Sequence, residues 1–267
     1  MSRVFLTGAS SGIGSAIAKT LTAAGHEVWG TSRDPSRIPE LPKLHPVKLD
    51  LLSPQSIEEA FNAALAEAGH IDVLINNAGA GHFGPAESLP IDVIENQFQL
   101  LVLAHIRLMQ RAISAMRAGG GGLIINVTSL ASRLPVPFMG AYNAAKAAMA
   151  AYSMSIQLEF PNTQVHVVDL QPADICTEFN EAVIKSAKND PRYEAKLETT
   201  WNTVAANMSA APKPELVARR VLALIEQKNP PPRVTVGDAL QSKIAPLIFR
   251  FLPQRVRIWG LKRYYKI

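Results

Sequence analysis

Tyr142 and Lys146 are the side chains in this sequence best spaced for proton chemistry. In Tyr142-Asn143-Ala144-Ala145-Lys146 they stand four apart, so a helix puts them on one face. A tyrosine of ordinary pKa, ~10, is too weak an acid to ionise near neutrality. A nearby ammonium stabilises the phenolate and lowers that value, which makes the pair a candidate general acid/base. Ser129 ends an apolar, strand-like run, where its hydroxyl can hydrogen-bond an oxygen that gains negative charge. Close to the N-terminus, Gly8, Ser10, Ser11, Gly12, Ile13 and Gly14 form a turn between an apolar run and a helical stretch. Glycine there lets the backbone turn tightly and lets a pyrophosphate approach, with the free N–H groups of the helix aimed at the anion. Taken singly, each has an ordinary reading: a glycine turn, a strand-end cap, a packed tyrosine beside a surface charge.

Hydrophobic patterning supplies the elements that must hold these groups. Runs rich in Val, Ile and Leu read as buried strands at Arg3–Leu6, Glu27–Thr31, His45–Leu49, Val73–Asn76, Gly122–Thr128, Gln164–Leu170 and Arg233–Val236. Between them, alanine-rich stretches with apolar residues three and four apart read as helices at Gly12–Ala24, Pro54–Ala68, Ile91–Ala118, Ala141–Glu159 and Pro214–Glu226. This alternation implies right-handed crossovers. The expected class is α/β, a doubly wound parallel sheet of about seven strands with helices on both faces. Two stretches break the rhythm. Residues 177–213 scatter Phe179, Tyr193 and Trp201 among polar residues after a strand, as a lid over a site would. Residues 239–267 are basic and apolar. Residues 1–238 therefore read as one domain that includes the lid, and 239–267 as its C-terminal extension.

At 267 residues the chain fits one or two domains of about 150 residues each. With 48% hydrophobic and 18% charged residues it can bury a core and lacks the composition of a disordered chain. A single cysteine, Cys176, excludes a disulfide framework and a cysteine-rich zinc site, and suits a reducing compartment. His26, His45, His70, His82, His105 and His166 show no metal-ligand spacing, so no metal is expected.

The net charge of +5 is concentrated at one end. Residues 239–267 hold seven of the 27 Lys and Arg and none of the 22 Asp and Glu. A nucleic-acid binder carries its basic stripe on the folded body, so no nucleic-acid partner is expected. Arg3 runs straight into Val4-Phe5-Leu6 and Thr7-Gly8, which leaves no room for a leader; no run reaches the ~18 apolar residues of a membrane span. A cytoplasmic protein is expected. In the tail, Leu240, Ile244, Leu247, Ile248 and Phe251 fall at helical spacing, with Pro246 expected to break or restart the helix. Arg255, Arg257, Lys262, Arg263 and Lys266 then surround Trp259, Tyr264 and Tyr265. Two readings stay open: a tail packed on its own lid or on another subunit, and a peripheral contact with a membrane surface.

Taken together, several motifs in order resemble the short-chain dehydrogenase/reductase family. They are T-G-x-x-x-G-I-G at Thr7–Gly14, Asn76-Asn77-Ala78-Gly79 after the fourth strand, and Ser129, Tyr142 and Lys146 in the spacing Ser-x12-Tyr-x3-Lys. Pro172-Ala173-Asp174-Ile175-Cys176-Thr177 is similar to the family's P-G-x-I-x-T segment, with Ala173 in place of glycine. The resemblance runs from residue 3 to about Val236. It implies a single-domain Rossmann fold and an oxidoreductase that interconverts a ketone or aldehyde and its alcohol by hydride transfer with a nicotinamide cofactor. Ser129, Tyr142 and Lys146 would be catalytic, Lys146 also binding the nicotinamide ribose. The cofactor would lie on the glycine loop, Arg33, Asp50, Leu51, Asn77, Ala78, Gly79, Pro172, Ile175 and Thr177.

Where the family reads the adenosine ribose, Ser32 stands at the expected acidic position and Arg33 follows it. A guanidinium suits the 2′-phosphate, so NADP(H) is the expected cofactor. The other reading of Arg33 is a surface charge paired with Asp34. Asp50 resembles the family's adenine-contacting aspartate, and reads equally as a turn former ahead of a helix. Where the family has an asparagine that distorts its helix and links the lysine to solvent through a main-chain carbonyl, this chain has Leu101. Leucine cannot make those side-chain bonds, so a weakened proton relay is expected.

The apolar loop Leu134–Met139 and the lid favour a bulky lipophilic substrate, with His82, Phe138 and Phe179 as candidate contacts. Arg33, the Phe138 region and the long C-terminal extension look similar to the hydroxysteroid and retinoid dehydrogenase branch. Family resemblance also implies a homodimer or homotetramer formed through the helices at 91–118 and 141–159. The alternative function is a cofactor-binding regulator of the same fold with little turnover, tolerant of Leu101.

Overall fold

The strand signals resolve into β1 (Arg3–Leu6), β2 (Glu27–Ser32), β3 (Leu44–Lys48), β4 (Val73–Asn76), β6 (Gly122–Val127), β7 (Val165–Pro172) and β9 (Arg233–Val236), each within two residues of the expected bounds. They form one sheet in the order β3-β2-β1-β4-β6-β7-β9, parallel throughout. The computed structural model describes residues 1–160, 164–178, 183–185 and 191–267.

Helices cover both faces, because strands this apolar on both sides leave neither face fit for water. On one face, Ile17 and Leu21 of α1 (Gly12–Ala23) and Val217, Val221 and Leu224 of α7 (Glu215–Ile225) pack on Val4, Leu6, Ile75, Ile125 and Leu170. On the other, α2 (Pro54–Ala68), α4 (Ala104–Ala118) and α5 (Gly140–Glu159) bury Phe61, Leu108, Met109 and Met149 against Phe5, Leu74, Ile124 and Val167. The chain order reverses direction between β1 and β4, which lie side by side. In doubly wound folds the crevice that takes a ligand lies beyond the C-terminal ends of such a strand pair, between the loops that leave them.

Two features depart from the patterning. The expected single helix Ile91–Ala118 is α3 (Ile91–Phe98) and α4 joined by a π-helical turn at Gln99–Leu103. A two-strand ladder pairs β5 (His82–Phe83) with β8 (Ile184–Lys185), elements too short for alternation to mark. Pro246 restarts the tail helix, one of its two expected effects: it sits in the first turn of α8 (Ala245–Phe251), directly after a π-helical turn at Leu240–Ile244. A further helix, α9 (Gln254–Tyr265), ends the chain and lies on α6 (Glu194–Ala210) of the 177–213 stretch. No helix among the described residues is long and apolar enough to cross a membrane.

Candidate functional site

The glycine loop lies at the reversal point. Gly8 takes φ +73°, a left-handed conformation that side chains disfavour, and turns the chain out of β1. Gly14, on the first turn of α1, lies so close to the loop that a Cβ there would collide with the Gly8 carbonyl and come within 2.6 Å of Asn77 Nδ2. Asn77 closes the crevice from the β4 side: its Nδ2 donates to Thr7 O at 2.9 Å and to Gly8 O at 3.2 Å. Thr7 Oγ1 accepts from the backbone N–H of Asn77 at 2.8 Å and of Ala78 at 3.0 Å. Ser11 caps α1 without a side-chain bond, and no acidic residue stands in the first turn. The helix end is therefore free of negative charge and lined by glycine, a cradle that fits a dinucleotide pyrophosphate. Ser10 is half-buried and Ser11 exposed at its rim, while Thr177 faces Gly12 from the β7 side, 3.5 Å from where a Cβ would stand.

Across the crevice, β6 ends at Val127 and delivers Ser129 to a 3₁₀ turn, where its hydroxyl accepts from Ala131 N at 3.0 Å. The Tyr142 phenol, on the first turns of α5, is hydrogen-bonded to that same hydroxyl. Lys146, one turn further on, is 4% exposed. Its Nζ donates to Val127 O at 2.8 Å and lies 5.8 Å from the Tyr142 ring centroid. The three side chains thus converge, and a Cβ on Gly79 would stand 3.8 Å from Lys146 Nζ.

Their electrostatics differ from the expected lowering of Tyr142. Burial dominates and pushes the phenol up to about 12, with the Ser129 bond pulling the other way. Burial likewise brings Lys146 down to about 8, opposed by the carboxylate of Asp169.

Leu101, fully buried at the centre of the π-helical turn, packs toward Gly79: a Cβ on that glycine would meet Leu101 Cδ2 at 3.0 Å. The helix distortion therefore forms without a side-chain amide. The Leu101 carbonyl bonds the ring of His105, which burial and the nearby Lys146 charge hold at about 3, so the imidazole is neutral. His105 Nε2 is buried with no protein hydrogen-bond partner among the described residues.

Sequence reasoning missed Asp169. It is 1% exposed in the middle of β7 and accepts from Thr128 Oγ1, from Gln171 Nε2 at 2.7 Å and from Arg233 Nε at 2.8 Å. The sheet register dictates this cluster, since Asp169 pairs with Asn126 on one side and Arg233 on the other. A lone carboxylate inside the apolar run Val165–Leu170 was the available signal.

At the far end, Arg33 is exposed just past β2. Asp34 turns away from it to accept from Ser36 N at 3.1 Å and Ser36 Oγ at 2.7 Å, capping the turn Pro35–Arg37. The Arg33–Asp34 pairing is thus replaced by a cap. Asp50 Oδ1 accepts from Leu52 N at 3.0 Å, the turn-forming role, and Leu51 beside it is buried. Pro172 and Ile175 are buried at the end of β7.

Over Tyr142 lies an aromatic cluster. Phe83 meets Trp201 at 5.0 Å and Phe138 at 5.8 Å, and Phe138 meets Tyr193 at 6.2 Å, all edge to face. Phe138 holds φ +62°, and Asn143 brackets its loop by bonding Val136 N and O. His82 Nδ1 lies 3.2 Å from Gln97 Oε1 at the edge of the cluster. Phe179 lies outside the described residues.

The sequence pattern of the family described as short chain dehydrogenase matches residues 2–188. Over 266 residues, 99% of this chain and 98% of the relative, the sequence is 29% identical to a 3-ketodihydrosphingosine reductase of Bacteroides thetaiotaomicron. It is 34% identical over 180 residues, 66% of this chain and 60% of the relative, to an NADPH-dependent 1-acyldihydroxyacetone phosphate reductase of Schizosaccharomyces pombe. The crystal structure of a short-chain dehydrogenase from Streptomyces avermitilis superposes with a TM-score of 0.81 at 25% identity, covering 99% of this chain and 96% of that one. With the family pattern over more than half its length and full-length relatives of the same architecture, the chain belongs to the short-chain dehydrogenase/reductase family of oxidoreductases.

Proposed function

We propose that the protein is an NADP(H)-dependent carbonyl reductase acting on a bulky lipophilic ketone or aldehyde, and in reverse on the alcohol. The observation that carries this reading is Tyr142 hydrogen-bonded to Ser129, with Lys146 one turn along and a glycine cradle across the crevice. The glycine loop from Gly8 to Gly14 would hold the pyrophosphate, Asp50 and Leu51 would border the adenine, and Asn77, Ala78, Gly79, Pro172, Ile175 and Thr177 would line the nicotinamide end. When bound, the dihydronicotinamide supplies a hydride to the carbonyl carbon.

Tyr142 donates its proton to the carbonyl oxygen, and Ser129 hydrogen-bonds the same oxygen as charge develops on it. Lys146 orients the ribose hydroxyls. Raised by burial, the phenol is protonated at neutral pH, the state in which it can act as the acid. Ser32 and Arg33 leave an uncharged side chain and an exposed guanidinium for a 2′-phosphate, in line with the NADPH dependence in one relative's name. The aromatic cluster of Phe83, Phe138, Tyr193 and Trp201 gives the substrate side an apolar wall, with α6 as part of its lid. Two relatives are named for ketone or acyl lipids, so a ketone on a long acyl chain heads the substrate panel, ahead of steroids and retinoids. Exposed Leu103 on the π-helical turn and exposed Met154 and Leu158 on α5 support homo-oligomer pairing on that side.

The test is NADPH oxidation by the purified chain against long-chain acyl ketones, steroids, retinoids and quinones, with NADH as control. Turnover that prefers NADPH and a lipophilic ketone is expected. Tight NADPH binding without turnover on any carbonyl would instead support the regulator.

A further inference from the structure

Along Leu240–Phe251, Leu240, Ile244, Leu247, Ile248 and Phe251 follow the spacing that gathers side chains on one helical face. In a globular domain such a face turns to the core. Here it turns outward: the five are 63, 47, 60, 50 and 75% exposed. α9 adds exposed Val256, Ile258, Trp259 and Tyr264. Nine of the 16 exposed large apolar side chains among the described residues therefore fall in the last 28 residues. Single exposed leucines need no explanation, but a continuous apolar face does.

This face is held firmly from behind. Tyr265 is buried, and the Tyr264 hydroxyl accepts from Asn207 Nδ2 on α6 at 2.8 Å. Gln241 Nε2 donates to Asp174 Oδ2 at 2.6 Å, and Arg257 Nε donates to Leu252 O at 2.7 Å across the corner between α8 and α9. One side of the tail thus packs on α6, and the other remains uncovered.

Charge decides what fits the uncovered side. Arg250, Arg255, Lys262, Arg263 and Lys266 are exposed along it, and no Asp or Glu occurs after residue 238. A second copy of this chain seated face to face would bring these cations together with no carboxylate of either tail between them. An anionic lipid surface matches both properties. It offers depth for Leu, Ile and Phe, phosphates for Arg and Lys, and a headgroup zone for Trp259.

We propose that α8 and α9 dock the protein on an anionic bilayer surface, with Leu247, Ile248 and Phe251 entering the headgroup boundary and the arginines and lysines on lipid phosphates. The docking helices brace α6, which carries Trp201 of the aromatic wall, so the substrate side faces the membrane. That last consequence rests on the lipophilic-ketone reading; the docking does not.

Flotation of the full chain with phosphatidylcholine vesicles, with and without phosphatidylglycerol, tests it. The chain is expected to float with the anionic vesicles, and about 0.5 M salt to weaken binding by screening. Leu247→Asp with Phe251→Asp, and separately Arg255→Glu with Lys262→Glu, should each lower partitioning about tenfold or more. NADPH binding, read by fluorescence, should stay unchanged and report an intact fold. Failure to bind anionic vesicles, or equal binding by the Asp variant, overturns the proposal. So does an Asp variant that turns a dimer into a monomer without changing flotation, which would make the face a subunit contact. Absence of turnover on every carbonyl would sink the enzymatic reading and leave the flotation result standing.

Discussion

Lys146 donates its ammonium to the Val127 carbonyl at 2.8 Å, within the field of the buried Asp169 carboxylate and one helical turn from Tyr142. One backbone acceptor and one carboxylate keep a nearly dehydrated lysine charged at neutral pH.

This arrangement costs stability. Lys146 drops from 10.5 to about 8 on folding, so the folded state disfavours its charge. The cost vanishes above about pH 10.5, where folded and unfolded lysine are both neutral, and is complete below about pH 8. Lys146→Met should raise stability at pH 7 by about 1–3 kcal/mol while abolishing turnover, and the gain should shrink as pH rises toward 10. Urea melts at pH 7 and pH 9.5 check it; a less stable variant at pH 7 would contradict it.

His105 predicts acid sensitivity. Its ring is held at about 3, below the ordinary 6.5, so its contribution to stability is present above pH 6.5 and lost as pH falls toward 3. His105→Gln should flatten the decline of unfolding free energy between pH 6.5 and 4.5 by up to about 1.4 kcal/mol per pH unit. A smaller slope remains from His26, also lowered by burial.

Asp169→Asn should destabilise by about 3–5 kcal/mol, because an amide nitrogen would face the donors of Thr128, Gln171 and Arg233. Asp169 is a positioning residue. Its loss should also lower the Lys146 pKa further and shift the pH–rate profile of any folded variant to more acid values.

Cofactor choice is tested at the β2 end. Arg33→Ala should raise KM for NADPH about tenfold or more and leave KM for NADH nearly unchanged. Ser32→Asp with Arg33→Ala should reverse the preference. Equal effects on both cofactors would make Arg33 a surface charge without a phosphate to bind.

The strands and the glycine loop were legible because their signals are local: apolar runs of four to eight residues, and glycines whose φ or close packing no other residue accepts. The π-helical turn at Gln99–Leu103 was not, since Leu100, Leu101 and Leu103 continue the helical pattern and only packing against Gly79 and His105 marks the bulge. The Asp169 cluster depends on pairing among β6, β7 and β9, strands far apart in the chain. The burial of Tyr142 was hidden for a related reason. Its spacing to Lys146 was readable, but the degree of burial that sets its pKa was not.

In the proposed reaction Tyr142 gives its proton to a carbonyl reduced by NADPH. The direct measurement uses NADPH deuterated at nicotinamide C4 with the long-chain ketone panel and mass spectrometry of the alcohol. One deuterium is expected on the carbinol carbon from the wild-type chain, and a rate at least about 10²-fold lower from Tyr142→Phe with NADPH affinity intact. Label transfer by Tyr142→Phe at the wild-type rate would contradict it.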